Sequence, residues 1–213
     1  MKLYLSSYKL GDRAEELKRL VPRQNRKVAF IPNALDFVDD LKMRRRSELA
    51  DIRDLERLGL HVDVLDLRDY FSRLPLLEKK VKEFGAFWAR GGNAFVLRQA
   101  MSLSGFDEVL RGLSSRQDLL YGGYSAGVCV LAPTLRGIDL MDNLAAWPYG
   151  RKSRLIWAGL GLISYSIVPH FESDHPESDR AAKAADYLKE HNMPYKTLRD
   201  GEVVVEDSLP VPL

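Results

Sequence analysis

Cysteine is almost missing from this chain: Cys129 is the only one in 213 residues, which excludes an internal disulfide framework and a cysteine-based metal centre. Long apolar runs are missing too. No segment approaches the ~20 apolar residues that a bilayer-spanning helix needs. The opening stretch Met1-Lys2-Leu3-Tyr4-Leu5 is too short for a secretory signal, so the expected compartment is the cytoplasm. Charge of one sign is also lacking: 32 Lys+Arg against 30 Asp+Glu leave a net charge of +2. The longest basic run, Arg44-Arg45-Arg46, has Asp39 and Asp40 before it and Glu48, Asp51 and Asp54 after it, as on a solvated helix face. Neither nucleic acid nor membrane is therefore an expected partner. Histidines number only four, which keeps any search for a general base short. What remains is an ordinary globular composition, 46% hydrophobic and 29% charged. Its length suits one α/β domain over residues 1–213 with a sizeable core, and its oligomeric state is left open.

Apolar strand-like runs alternate with helical spacing. Lys2 to Ser6, Val28 to Ile31, Val62 to Leu65, Ala86 to Trp88 and Leu119 to Tyr121 read as strands, while Leu49, Ile52, Leu55 and Leu58 before Gly59 read as a helix with its stop. This alternation predicts an α/β fold with a mostly parallel sheet covered by helices on both faces. The second half is less regular: a strand over Leu162 to Val168, a helix over Glu177 to Glu190, and short strands at Tyr195 to Leu198 and Val203 to Glu206 about the turn Arg199-Asp200-Gly201. In such sheets ligands bind at the carboxyl ends of the strands.

Chemistry concentrates at Gly123-Tyr124-Ser125-Ala126-Gly127, set between the apolar run Leu119-Leu120-Tyr121-Gly122 and Val128-Cys129-Val130-Leu131. A serine between two flanking glycines in a strand-to-helix turn has the pattern of a nucleophile elbow, where small neighbours allow the sharp turn that lifts a hydroxyl clear of its backbone. About 0.07 chance matches to this pattern are expected at this composition, so it is informative, although a Gly-rich packing turn would look similar. Serine at its free pKa is a poor nucleophile and needs a base. His61 opens a strand at the wrong end of the sheet and His191 closes a helix. His170, at the end of Ser164 to Phe171, is the best placed, with His175 as a fallback. The elbow itself supplies one oxyanion donor, the Ala126 N–H, and the Gly91-Gly92 pair after the fourth strand can supply a second, with Asn93 capping the helix that follows.

Together these pieces resemble the dipeptidase E (alpha-aspartyl dipeptidase) family of serine peptidases, related to cyanophycinase and built on the class I glutamine amidotransferase-like, flavodoxin-like sandwich. The resemblance runs through Gly91-Gly92-Asn93-Ala94-Phe95, Tyr124-Ser125-Ala126-Gly127 with Ala132-Pro133-Thr134-Leu135-Arg136, Pro169-His170-Phe171 and Leu198-Arg199-Asp200-Gly201. It implies Ser125 as nucleophile, His170 as base, Asp200 as the acid that orients it, and Gly92 and Ala126 as oxyanion donors. Glu202 and Asp139 are the alternatives to Asp200, because the best-known relatives carry a glutamate there. Arg90 stands where the family commonly has a third glycine. The implied activity is cofactor- and metal-free hydrolysis of short peptides through an acyl-enzyme, with a preference for N-terminal Asp. Arg180, Arg90, Arg136 and Asn93 are the candidate substrate contacts. A cyanophycinase-like beta-aspartyl hydrolase and a non-catalytic ligand-binding member of the fold are the competing readings. A glutaminase is disfavoured, since Cys129 lies one helical turn beyond the elbow, where a small core residue is the simplest role.

Overall fold

The computed structural model describes residues 1–150 and 155–208. In chain order the elements are β1 (Lys2–Ser6), α1 (Ala14–Leu20), β2 (Lys27–Ile31), α2 (Leu41–Arg57), β3 (His61–Val64), α3 (Leu74–Val81), β4 (Ala86–Ala89), α4 (Ala94–Ser104), α5 (Phe106–Gly112), β5 (Leu120–Tyr124), α6 (Ala126–Cys129), β6 (Ser166–Val168), α7 (Ser178–Glu190), β7 (Tyr195–Thr197) and β8 (Val203–Asp207).

Six strands form the main sheet in the order β3-β2-β4-β5-β1-β8. The first five are parallel, and β8 closes the edge antiparallel to β1. Alternate residues of the central strands enter two separate cores. Leu3, Leu5, Ile31, Phe87 and Tyr121 pack on one face with Leu77 and Val81 of α3, Phe95 and Leu97 of α4, Phe106 of α5 and Ala184 of α7. Tyr4, Phe30, Trp88 and Leu120 pack on the other with Leu17 of α1 and Ile52 and Leu55 of α2. Burial on both faces is why these strands read as unbroken apolar runs. Edge strand β3 is mostly exposed and correspondingly polar at His61 and Asp63. The architecture is therefore the mostly parallel, two-sided α/β fold expected.

Three differences lie in the second half. The expected strand over Leu162 to Val168 shortens to Ser166–Val168, because Leu160 and Leu162 donate their N–H groups to Val130 and Leu131 in the segment after α6. The strands on either side of the Arg199-Asp200-Gly201 turn do not pair with each other. β7 joins β6 in a separate two-stranded parallel sheet, whereas β8 crosses to β1. Helix α7 begins one residue later than expected, with Glu177 at its N-cap position.

Candidate active site

Three loops meet at the carboxyl edge of the sheet. In register, Ser6 pairs with Tyr124 and Ala89 with Gly123, so the turns after β1, β4 and β5 emerge side by side. Ser125 sits between β5 and α6 with φ 49° and ψ −118°, a backbone conformation that non-glycine residues rarely adopt and that is held only where the surroundings over-determine it. Here its N–H donates to Ser7 O at 3.1 Å, and its carbonyl accepts from Val128 N at 2.9 Å and Cys129 N at 3.0 Å. Close packing also requires the glycine that follows: a Cβ on Gly127 would stand 2.1 Å from the Ala89 carbonyl oxygen of β4. Ser125 is 7% exposed.

The glycine-rich loop after β4 is equally constrained. Gly92 has φ 145°, and a Cβ there would stand 2.4 Å from Ala34 O. Asn93 caps α4 as expected, its Oδ1 accepting from Val96 N at 3.0 Å, and its Nδ2 donates to Asn143 O at 2.9 Å. Among the described residues none accepts the N–H of Gly92 or of Ala126, which leaves both donors available.

Parallel pairing of β6 with β7 brings the histidine and the acid together. Val168 pairs with Thr197, so His170 and Asp200 follow at the same ends of adjacent strands, and Phe171 N to Leu198 O at 3.0 Å prolongs the register. His170 Nδ1 lies 2.7 Å from Asp200 Oδ1. The ring is 2% exposed, and its pKa is lowered from the ordinary 6.5 chiefly by burial, with the Asp200 charge pulling the other way. Neutral imidazole with Nδ1–H toward the carboxylate leaves Nε2 as the basic atom. Among the described residues none is hydrogen-bonded to the Ser125 hydroxyl, His170 included; such contacts commonly tighten only when substrate binds.

Ser7, which no motif flags, ties all three together. Its carbonyl holds Ser125 N, its hydroxyl accepts from His170 N at 2.8 Å, and the same hydroxyl lies 2.9 Å from Asp200 Oδ1 and 3.1 Å from Leu198 O as donor. Ser173 Oγ accepts from Asp200 N at 2.8 Å. Only their place, just beyond β1 and His170, could have pointed to these serines.

The other candidates make contacts of their own. Glu202 accepts from Arg199 N and Asp139 from Gly137 N, each within its own turn. His61 opens the exposed edge strand, and His191 lies 2.8 Å through Nδ1 from Tyr187 O at the end of α7. Arg90 is buried against α2, with Nη2 on Ser47 Oγ at 2.7 Å and Asp51 Oδ2 at 3.2 Å. Arg136 is exposed and stacks on Trp157. Arg180, exposed on the first turn of α7, donates to Met141 O at 2.9 Å and reaches Glu177 at 3.4 Å. Cys129 is buried in the core with its thiol pKa raised by burial.

Two carboxyl groups had no functional role in the sequence reading. Asp142 accepts from Ala94 N at 2.7 Å beside the Gly91-Gly92 loop, and burial pushes its pKa up to about 7. Glu177 Oε2 lies 3.9 Å from His170 Nε2, the side of the ring away from Asp200. His175 stacks on His170 with centroids 3.7 Å apart and planes 8° from parallel. Ligand atoms of His170, His175 and Glu177 fall within 4.8 Å of one another. Two face-to-face rings cannot both direct in-plane lone pairs at a single ion, and His175 Nδ1 accepts from Glu177 N at 3.2 Å, so this arrangement is packing rather than a chelate.

An elbow serine, a carboxylate-held histidine and a glycine-rich loop on one edge of a parallel sheet have the layout of the serine-hydrolase class of α/β domain. Within that class the chain belongs to peptidase family S51, whose sequence profile matches residues 5–208. It is 30% identical to peptidase E of Streptomyces coelicolor over 180 residues, 82% of this chain and 65% of the relative. It is 27% identical to a Drosophila melanogaster protein named probable alpha-aspartyl dipeptidase over 183 residues, 83% of this chain and 68% of the relative. The chain thus spans about two thirds of the length of these relatives. A crystal structure of a Listeria monocytogenes EGD-e protein assigned to peptidase E superposes with a TM-score of 0.70 at 23% identity, covering 97% of this chain and 98% of that one, a likeness of fold. Among the described residues no helix is long and apolar enough to cross a membrane.

Proposed function

We propose that the protein is a serine peptidase of short peptides that works through an acyl-enzyme. Ser125 Oγ attacks the scissile carbonyl while His170 Nε2 takes its proton, and Asp200 holds the opposite Nδ1–H and stabilises the imidazolium. The Gly92 and Ala126 N–H groups receive the oxyanion. His170 then returns the proton to the leaving amine, and water repeats the sequence on the ester to free the acid and Ser125. The observation that carries this reading is the 2.7 Å contact between His170 and Asp200 at the sheet edge where the strained elbow presents Ser125.

The preferred substrate in this reading is a dipeptide or short peptide with N-terminal Asp. The name of the Drosophila relative favours it, as does Arg180, a guanidinium suited to a carboxylate on the helix that follows His170. Purified protein should cleave Asp-Xaa faster than Asn-Xaa or Ala-Xaa, and Arg180→Ala should erase most of that preference while sparing reaction with a small phosphonate. Equal cleavage of neutral and aspartyl dipeptides removes the specificity and leaves the hydrolase.

A further inference from the structure

Glu177 has no part in the chemistry above, yet it faces the reacting side of the base. Its Oε2 is 3.9 Å from His170 Nε2, whereas Asp200 occupies Nδ1. A carboxylate there does not serve as a second orienter, because a bond to Nε2 would compete with the proton transfer from serine. Its other oxygen is 3.4 Å from Arg180 Nη2, and the side chain is 28% exposed, so it is neither buried in structure nor free in solvent. Its backbone holds the N-cap position of α7, with no side-chain cap bond, so the carboxylate is not spent on the helix.

Geometry of the substrate supplies the missing partner. In a peptide cleaved after its first residue, the α-nitrogen is two bonds from the carbonyl carbon that Ser125 attacks. That carbon must also lie within a few ångströms of His170 Nε2, which serves both Oγ and the leaving nitrogen. With the carbonyl carbon about 4 Å from Nε2, the α-nitrogen about 2.5 Å beyond it and its partner at hydrogen-bond distance, a group that binds the α-ammonium stands within about 9 Å of Nε2, a reach that includes Glu177. We propose that Glu177 is the receptor for the free α-ammonium group of the substrate and so makes the enzyme an aminoexopeptidase. This rests on the serine-peptidase reading of Ser125. The Glu177–Arg180 pair then exchanges partners on binding: the ammonium takes Glu177, and a side-chain carboxylate, where present, takes Arg180. One ion pair becomes two, in a pattern that matches a zwitterionic acidic residue and no internal stretch of a longer chain.

Two phosphonate probes that differ only at the amino group isolate this contact from any side-chain preference: diphenyl 1-aminoethylphosphonate and diphenyl ethylphosphonate. In each, Ser125 Oγ bonds to phosphorus as the P–O bond to phenoxide breaks, and the hydroxyl proton passes through His170 to leave as phenol. The wild-type protein should be inactivated about 10- to 100-fold faster by the amino probe, the range of a charge-assisted hydrogen bond. Glu177→Gln should reduce that advantage to within about threefold of unity with little change in the rate of the amino-free probe, and Glu177→Asp should restore part of it. An advantage that survives in Glu177→Gln overturns the assignment. So does an equal slowing of both probes, which would mean that Glu177 acts on His170. If neither probe modifies Ser125, the peptidase reading itself falls, a distinct failure seen in the adduct mass.

Discussion

The Ser7 hydroxyl lies 2.9 Å from Asp200 Oδ1 and 2.8 Å from His170 N, so one side chain at the tip of β1 fixes both the Asp200 carboxylate and the backbone of His170. It also links two sheets, since Ser7 follows β1 of the main sheet while His170 and Asp200 lie beyond β6 and β7 of the two-stranded one. A positioning residue of this kind should act on turnover. Ser7→Ala is expected to lower kcat about tenfold with KM little changed, as for loss of one hydrogen bond to a charged group. Without that donor the Asp200 carboxylate holds the imidazolium more strongly, so the acid limb of the pH profile should move upward. A variant with lower KM-normalised turnover but an unmoved pH limb would reduce Ser7 to packing.

The lowered pKa of His170 sets a second expectation. In the proposed mechanism His170 must be neutral, so the acid limb of kcat/KM should fall below the ordinary 6.5, as the apparent value of the His170–Asp200 pair. Stability is linked with the same sign. The unfolded chain takes up the proton first as pH falls, so the contribution from neutral His170 is complete above 6.5 and is lost as pH drops from there through the folded value. His170→Asn should flatten that part of a thermal-stability profile, whereas an acid limb above 6.5 contradicts the burial argument.

Asp142 carries the opposite sign. Its folded value of about 7 stands above the ordinary 3.8, so the folded protein keeps a proton that the unfolded chain has released. Stability from this group is present below 3.8, declines across the interval and is gone above 7. Asparagine can accept from Ala94 N as the acid does. Asp142→Asn should thus be more stable than wild type at pH 8, on the order of 2 kcal/mol, with the difference shrinking toward pH 4. Urea unfolding at the two pH values measures it, and a difference independent of pH would show that Asp142 is ionised throughout.

The sheet was legible because two-sided burial writes itself as apolar runs, and the elbow because close approach to Ala89 and a strained φ at Ser125 demand a particular glycine pattern. His170 is legible as a candidate from its position after a strand. Pairing was not legible: nothing in the spacing of Tyr195 to Leu198 and Val203 to Glu206 says that one joins β6 and the other β1. The roles of Ser7 and Glu177 were hidden for the same reason, since each depends on a contact across 163 residues or on the way one loop folds back over its own histidine. Arginines were the least readable: Arg90 turns toward α2 and Arg136 toward Trp157, because a long cationic side chain follows whichever carboxylate or ring the fold places within reach.

The most direct measurement of the central claim is the site of covalent modification. The native protein treated with diphenyl ethylphosphonate, then digested and weighed, should carry one adduct, on the peptide containing Ser125. Ser125→Ala, folded by circular dichroism, should take up none and should lose several orders of magnitude in peptide turnover. An adduct on another serine, or normal turnover by the folded Ser125→Ala protein, would contradict the account.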